Sequence, residues 1–120
     1  MTDSSRPPGK TTISPDVLVT IVRLTALGVP GVSRLAKIPV GVNLIFKSRA
    51  EDGVCITVDE NTVGADLYLH FERDVNVRNV SRDVQQRVTR AISEMVDMQV
   101  KEINVHVEDI DYETEAAATK

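Results

Sequence analysis

The feature that most constrains this chain is a change of hydrophobic period between residues 63 and 109. Val63, Ala65, Leu67, Leu69 and Phe71 alternate with Gly64, Asp66, Tyr68, His70 and Glu72. Val77, Val80, Val84, Val88, Ala91, Ile92 and Met95 then recur at helical spacing over residues 77–97. Finally Ile103, Val105 and Val107 alternate with Asn104, His106 and Glu108 over residues 100–109. A period of two gives a strand with one buried and one wet face, and helical spacing gives one apolar stripe. Strand, helix, strand in that order is a βαβ unit, with its two strands parallel in one sheet. Asn76 or Asn79 caps the helix. The helix covers the apolar face and leaves the other face polar and open.

Upstream, Val54, Ile56 and Val58 alternate with Cys55, Thr57 and Asp59, and residues 60–62 are few enough for a hairpin. A first helix is expected over residues 15–27. Ser14 can cap it, Pro15 suits its first position and Asp16 its positive end. Gly28 suits the position after its last turn, and Pro30 prevents continuation. Val17, Leu18, Ile21, Val22 and Leu24 make a wide face. Val19, Ala26 and Leu27 lie on the other side, beside Thr20 and Arg23. Helices that are apolar on most of their circumference are usually covered on two sides. Residues 31–35 and 42–47 read as further short strands, the second no better than a loop segment.

The expected fold is therefore α+β: a small mixed β-sheet with two helices packed on one face, in the order α-β-β-β-α-β. The domain spans residues 13–111. Residues 1–12, rich in Ser, Thr, Pro, Gly and charge, read as a disordered arm. Residues 112–120 read as a polar tail.

Composition narrows the function. The net charge is -4 and aromatic residues are 3 % with no Trp. An acidic chain with few rings is a poor partner for phosphate backbones or unstacked bases, so nucleic acid is not expected. Cys55 is the only cysteine, which excludes an internal disulfide and four-cysteine zinc sites. Residues 1–10 hold no apolar core of a signal peptide, and no apolar run approaches the ~20 residues of a membrane span. A cytoplasmic protein is expected.

Three surfaces are candidates for function. The first is helix 15–27, where Val19, Arg23, Ala26 and Leu27 look surplus to one core and mark an interaction surface. The second is the polar sheet face, where Asp66, Tyr68, His70, Asn104, His106 and Glu108 gather if the strands are neighbours. Two His with carboxylates suit metal binding or acid–base work, although simple solvation is the default for such a face. The third is a basic stripe of Arg78, Arg82 and Arg90, with Gln86 among them, diluted by Asp83, Glu94 and Asp97. Gly28 and Gly31 have the letters of a KH-type GxxG loop, but a helix stop and turn is the better reading. No catalytic residue, cofactor site or metal site is assigned. Cys55 has no base beside it in sequence and reads as structural.

Several segments together resemble the alkaline-shock protein family of bacterial envelope-stress proteins. They are Ile13-Ser-Pro-Asp-Val17, the turn Val29-Pro-Gly-Val32, the strands Gly53-Val-Cys-Ile-Thr-Val58 and Ala65-Asp-Leu-Tyr-Leu69, the helix segment Val84-Gln-Gln-Arg-Val88, and Val100-Lys-Glu-Ile-Asn-Val-His-Val107. The resemblance covers about residues 11–112. It departs at Arg73-Asp74, where members often carry Gly, a place an Asp can fill in the left-handed conformation. It is also poor over residues 34–50. It implies a non-enzymatic scaffold of the envelope stress response. Such a protein is a homo-oligomer, or is held at the inner face of the membrane by a membrane-anchored partner. The alternatives are a regulatory partner of a lipid- or envelope-biosynthesis enzyme, and a metal-dependent enzyme on the polar sheet face.

Overall fold

The computed structural model describes residue 9 and residues 12–39, 48–51 and 53–111. The elements are α1 (Pro15–Leu27), β1 (Val32–Leu35), β2 (Ser48–Glu51), β3 (Val54–Asp59), β4 (Thr62–Glu72), α2 (Val77–Val96) and β5 (Gln99–Asp111). The expected arm and tail fall almost wholly outside the described residues, as does the segment 42–47. The α+β class and both helices stand as expected. The four-residue β2 is an additional strand that the sequence pattern did not separate.

Local chemistry sets the helix ends. Ser14 Oγ accepts from the Asp16 N–H at 3.2 Å, and Asn76 Oδ1 accepts from the Asn79 N–H at 3.0 Å. Asn76 is thus the cap of α2, and each cap satisfies an N–H that the first turn leaves unpaired. Gly28 ends α1 in a right-handed conformation, with φ -84. The left-handed bend falls instead at Gly31, with φ 101. A Cβ there would lie 2.7 Å from Val80 Cγ2, so the turn into β1 runs against α2. Asp74 has φ 65, the left-handed conformation anticipated where the resembled family often has Gly.

β4 is the centre of the sheet. β5 runs parallel along its whole length, from Thr62↔Gln99 to Glu72↔Asp111. The other edge is shared. β3 pairs antiparallel with Thr62 through Leu67, β1 pairs antiparallel with Leu69 through Phe71, and β2 extends the sheet beyond β3. The seam between β1 and β3 falls at Tyr68, whose carbonyl accepts from the Ala36 N–H at 2.7 Å while its N–H donates to the Gly53 carbonyl at 2.8 Å. Gly53 has φ 79, and a Cβ on it would collide with the Ala36 carbonyl oxygen. Only a residue without a side chain fits where two strand ends converge on a third.

One apolar core lies between the sheet and both helices. Val54 and Ile56 of β3, Val63, Ala65, Leu67, Leu69 and Phe71 of β4 and Ile103 of β5 face Leu18, Val19, Val22 and Ala26 of α1 and Val80, Val84, Val88 and Ile92 of α2. Each fully buried Val, Leu, Ile or Phe side chain contributes about 1.5–3 kcal/mol relative to exposure. The helices therefore share one sheet face, and the other face carries the polar members of each strand.

Candidate functional site

On the polar face the parallel register sets Asp66 opposite Asn104 and Tyr68 opposite His106. The four side chains join. Asn104 Nδ2 donates to Asp66 Oδ1 at 3.1 Å, and His106 Nε2 stands 3.0 Å from the same oxygen, which accepts from its N–H. The His106 ring stacks on Tyr68, centroids 4.5 Å apart and planes within 12°. That cover leaves Tyr68 buried. Burial first, then the negative charge of Asp66 and weaker contributions from Cys55 and Glu108, raise the Tyr68 hydroxyl above its ordinary pKa.

His70 is not part of this group. It lies opposite Arg34 of β1 and Asp109 of β5, beyond a register shift. Along β4 it is about 7 Å from Tyr68, the repeat of a strand face. The metal reading needs His70 and His106 to converge. His106 instead turns to Asp66 and Tyr68. Among the described residues no three His, Cys, Asp or Glu side chains gather as a cation site. Cys55, opposite Asp66 on β3, is a buried thiol. The Asp66–His106 pair sits on the sheet surface, with both side chains more than a third exposed.

The basic stripe is exposed along α2 as expected, with Arg78, Arg82 and Arg90 all on the surface. Its neighbour Arg87 pairs with Asp83 at 3.6 Å, an i,i+4 contact between half-exposed groups that contributes little.

The α1 surface needs correction. Val19 and Ala26 are 1 % and 0 % exposed. They are core, because α1 packs closely against both the sheet and α2, and small or β-branched residues fit that corner. Leu24, expected on the core side, is instead 61 % exposed, with Val17 at 45 % and Leu27 at 42 %. At about 100° per residue, Leu18, Val22, Ala26 and Val19 form one arc, and Leu27, Thr20, Leu24 and Val17 form a second on the far side. The sequence shows both arcs but not which one meets the sheet. Leu24 and Leu27 line an open cleft of about 600 Å³ with Arg23, Arg34, Leu35, Ala36 and Lys37. Among the described residues its lining is aliphatic apart from the three cations, and it includes no carboxylate.

No helix among the described residues is long and apolar enough to cross a membrane. Comparison with known proteins gives a family match over residues 3–112, to the alkaline-shock protein 23 family, described as of cell envelope-related function. The chain is similar to the uncharacterized protein Spy1535 of Streptococcus pyogenes serotype M6, 29% identical over 102 residues, or 85% of this chain and 79% of that protein. It is also similar to the uncharacterized protein YqhY of Bacillus subtilis strain 168, 27% identical over 110 residues, or 90% of this chain and 82% of that protein. No solved structure matches.

Proposed function

The chain belongs to the alkaline-shock protein 23 family, whose function is cell envelope-related, and from that premise we propose that it is a non-enzymatic docking module. It acts by binding another protein, or further copies of itself, through the outer arc of α1. On this reading it works at the inner face of the membrane, through a partner anchored there. The carrying observation is the apolar stripe of Val17, Leu24 and Leu27, left exposed while the core beneath α1 is complete. Contiguous exposed apolar surface bordered by charge is the usual mark of an interface. The polar face is consistent with that reading, since Asn104 and His106 both bond Asp66 Oδ1 and the His106 ring stacks on Tyr68.

The test is a photo-crosslinking residue at position 24 in cells, with one at position 90 on α2 as control. A discrete adduct at 24, absent at 90 and lost when Leu27→Asp is added, is the expected result. The mass of purified protein across a concentration series then separates assembly with itself from docking elsewhere. No adduct, together with unchanged mass in a folded Leu24→Asp/Leu27→Asp variant, would sink the proposal. Capture of a lipid- or envelope-biosynthetic enzyme at position 24 would make the module a regulator of that enzyme.

A further inference from the structure

Resting on the docking reading of α1, we infer the class of partner: an acidic amphipathic α-helix, about three turns long, laid along Val17, Thr20, Leu24 and Leu27. The spacing of these residues is 3, 4, 3, the a/d seam that one helix offers to another. The seam spans ten residues, about 15 Å of helix axis, which sets the length of the matching face. Thr20 does not spoil it, because its hydroxyl already donates to the Asp16 carbonyl at 3.1 Å within α1.

Charge selects among occupants. Arg23 of α1 and Lys37, just past β1, line the cleft together with Leu24, Leu27 and Leu35. A rod with carboxylates along its flanks meets these cations favourably, whereas a basic helix meets repulsion. A second copy applying the same cleft would set these cations against their equivalents, which disfavours a symmetric pairing. An anionic membrane shares the charge preference, but the 3, 4, 3 spacing of the stripe is the pattern that a single helix matches, and the vesicle arm of the test separates the two. Asp16 marks the other end of the seam. The partner's carboxylates should therefore concentrate beside Leu24 and Leu27.

Two synthetic 14-residue helices carrying Leu at a and d test this, one with Glu and one with Lys at the flanking positions. Binding to the full chain is followed by fluorescence anisotropy, beside flotation with phosphatidylglycerol vesicles. The Glu peptide should saturate, at least roughly tenfold tighter than the Lys peptide, and weaken with salt. Leu24→Asp should cost it roughly tenfold or more and Arg23→Glu several-fold, with circular dichroism confirming both variants fold. Equal affinities, or no saturation by the Glu peptide, would overturn the inference. So would vesicle binding that Leu24→Asp abolishes while the peptide fails. Should the peptides fail but the position-24 adduct persist, the acidic-helix class falls and the docking surface stands.

Discussion

Two surfaces of this molecule carry residues that invite a functional reading, and they differ in what they leave unsatisfied. The polar sheet face holds the side chains with chemical reach, Asp66, Tyr68, Asn104 and His106. Each has a partner within the group. The outer arc of α1 holds only aliphatic side chains and a threonine, yet Leu24 stands 61 % exposed. A polar side chain on a wet face is at home, while an aliphatic stripe beside three cations is not. Reactive residue types therefore point to one side of the protein and surface energetics to the other. Exposed aliphatic surface is the stronger mark of a partner, so energetics decides.

The largest effects should separate the two arcs of α1. Leu18→Ala, on the inner arc, should cost about 2–5 kcal/mol by urea unfolding, because it opens a cavity in a closed core. Leu24→Ala should stay within about 0.5 kcal/mol of the parent. Comparable losses at both positions would place Leu24 in the core and erase the contrast.

Next comes the seam under the polar face. Gly53→Ala should cost about 3 kcal/mol, since the added Cβ meets the backbone oxygens of Ala36 and Tyr68 at a left-handed φ of 79. Gly31→Ala should cost less, about 1–2 kcal/mol, because its closest neighbour is a methyl of Val80, which can rotate or shift. Equal costs would mean that β1 and β3 give way at Tyr68 as easily as a side chain does, so that the polar cluster rests on a pliable base.

The polar cluster itself should prove cheap to break. Asp66→Ala should cost about 1 kcal/mol, the net worth of the hydrogen bonds its Oδ1 accepts on a partly wet surface. In a double-mutant cycle with His106→Ala the coupling should stay below about 1 kcal/mol, because both side chains are more than a third exposed. A coupling of several kcal/mol would reveal a held, preorganised dyad and reopen the enzymatic reading.

What the sequence disclosed follows the same division. The period change from β4 through α2 to β5 stated the core of the fold, because alternation and helical spacing are imposed directly by burial on one face. The gathering of Asp66, Tyr68, Asn104 and His106 was readable too, since a parallel β4–β5 pair brings those faces together. His70 was misleading because the register shift after Leu69 sets it opposite Asp109, and an added residue in one strand has no periodic signature. β2 is only four residues long, too short to show a period against its surroundings. α1 was the hardest case. With apolar residues on both arcs, its inner side is decided by the sheet and α2, which are distant in sequence. The excess of apolar surface was visible in the sequence, but its location needed the fold.

The smallest predicted effect tests whether the polar face is as settled as its contacts suggest. Burial and the Asp66 carboxylate raise the Tyr68 hydroxyl above its ordinary value of 10.0. In the unfolded chain the phenol ionises near that ordinary value, while the folded protein holds its proton longer. Above pH 10 the unfolded state therefore binds fewer protons than the folded state, and stability falls as pH rises through that window. Below it the hydroxyl is neutral in both states and contributes no slope. Tyr68→Phe should flatten the decline in urea midpoint above pH 10 and leave stability near pH 7 little changed. Asp66→Asn should keep the onset of the decline but make it smaller, because burial, the larger cause, remains. Absorbance at 295 nm should show one of the two tyrosines ionising late in the folded protein. If both titrate together at the ordinary value, the His106 cover opens readily. The polar face would then be a loose surface, and its difference from the α1 stripe would be one of composition alone.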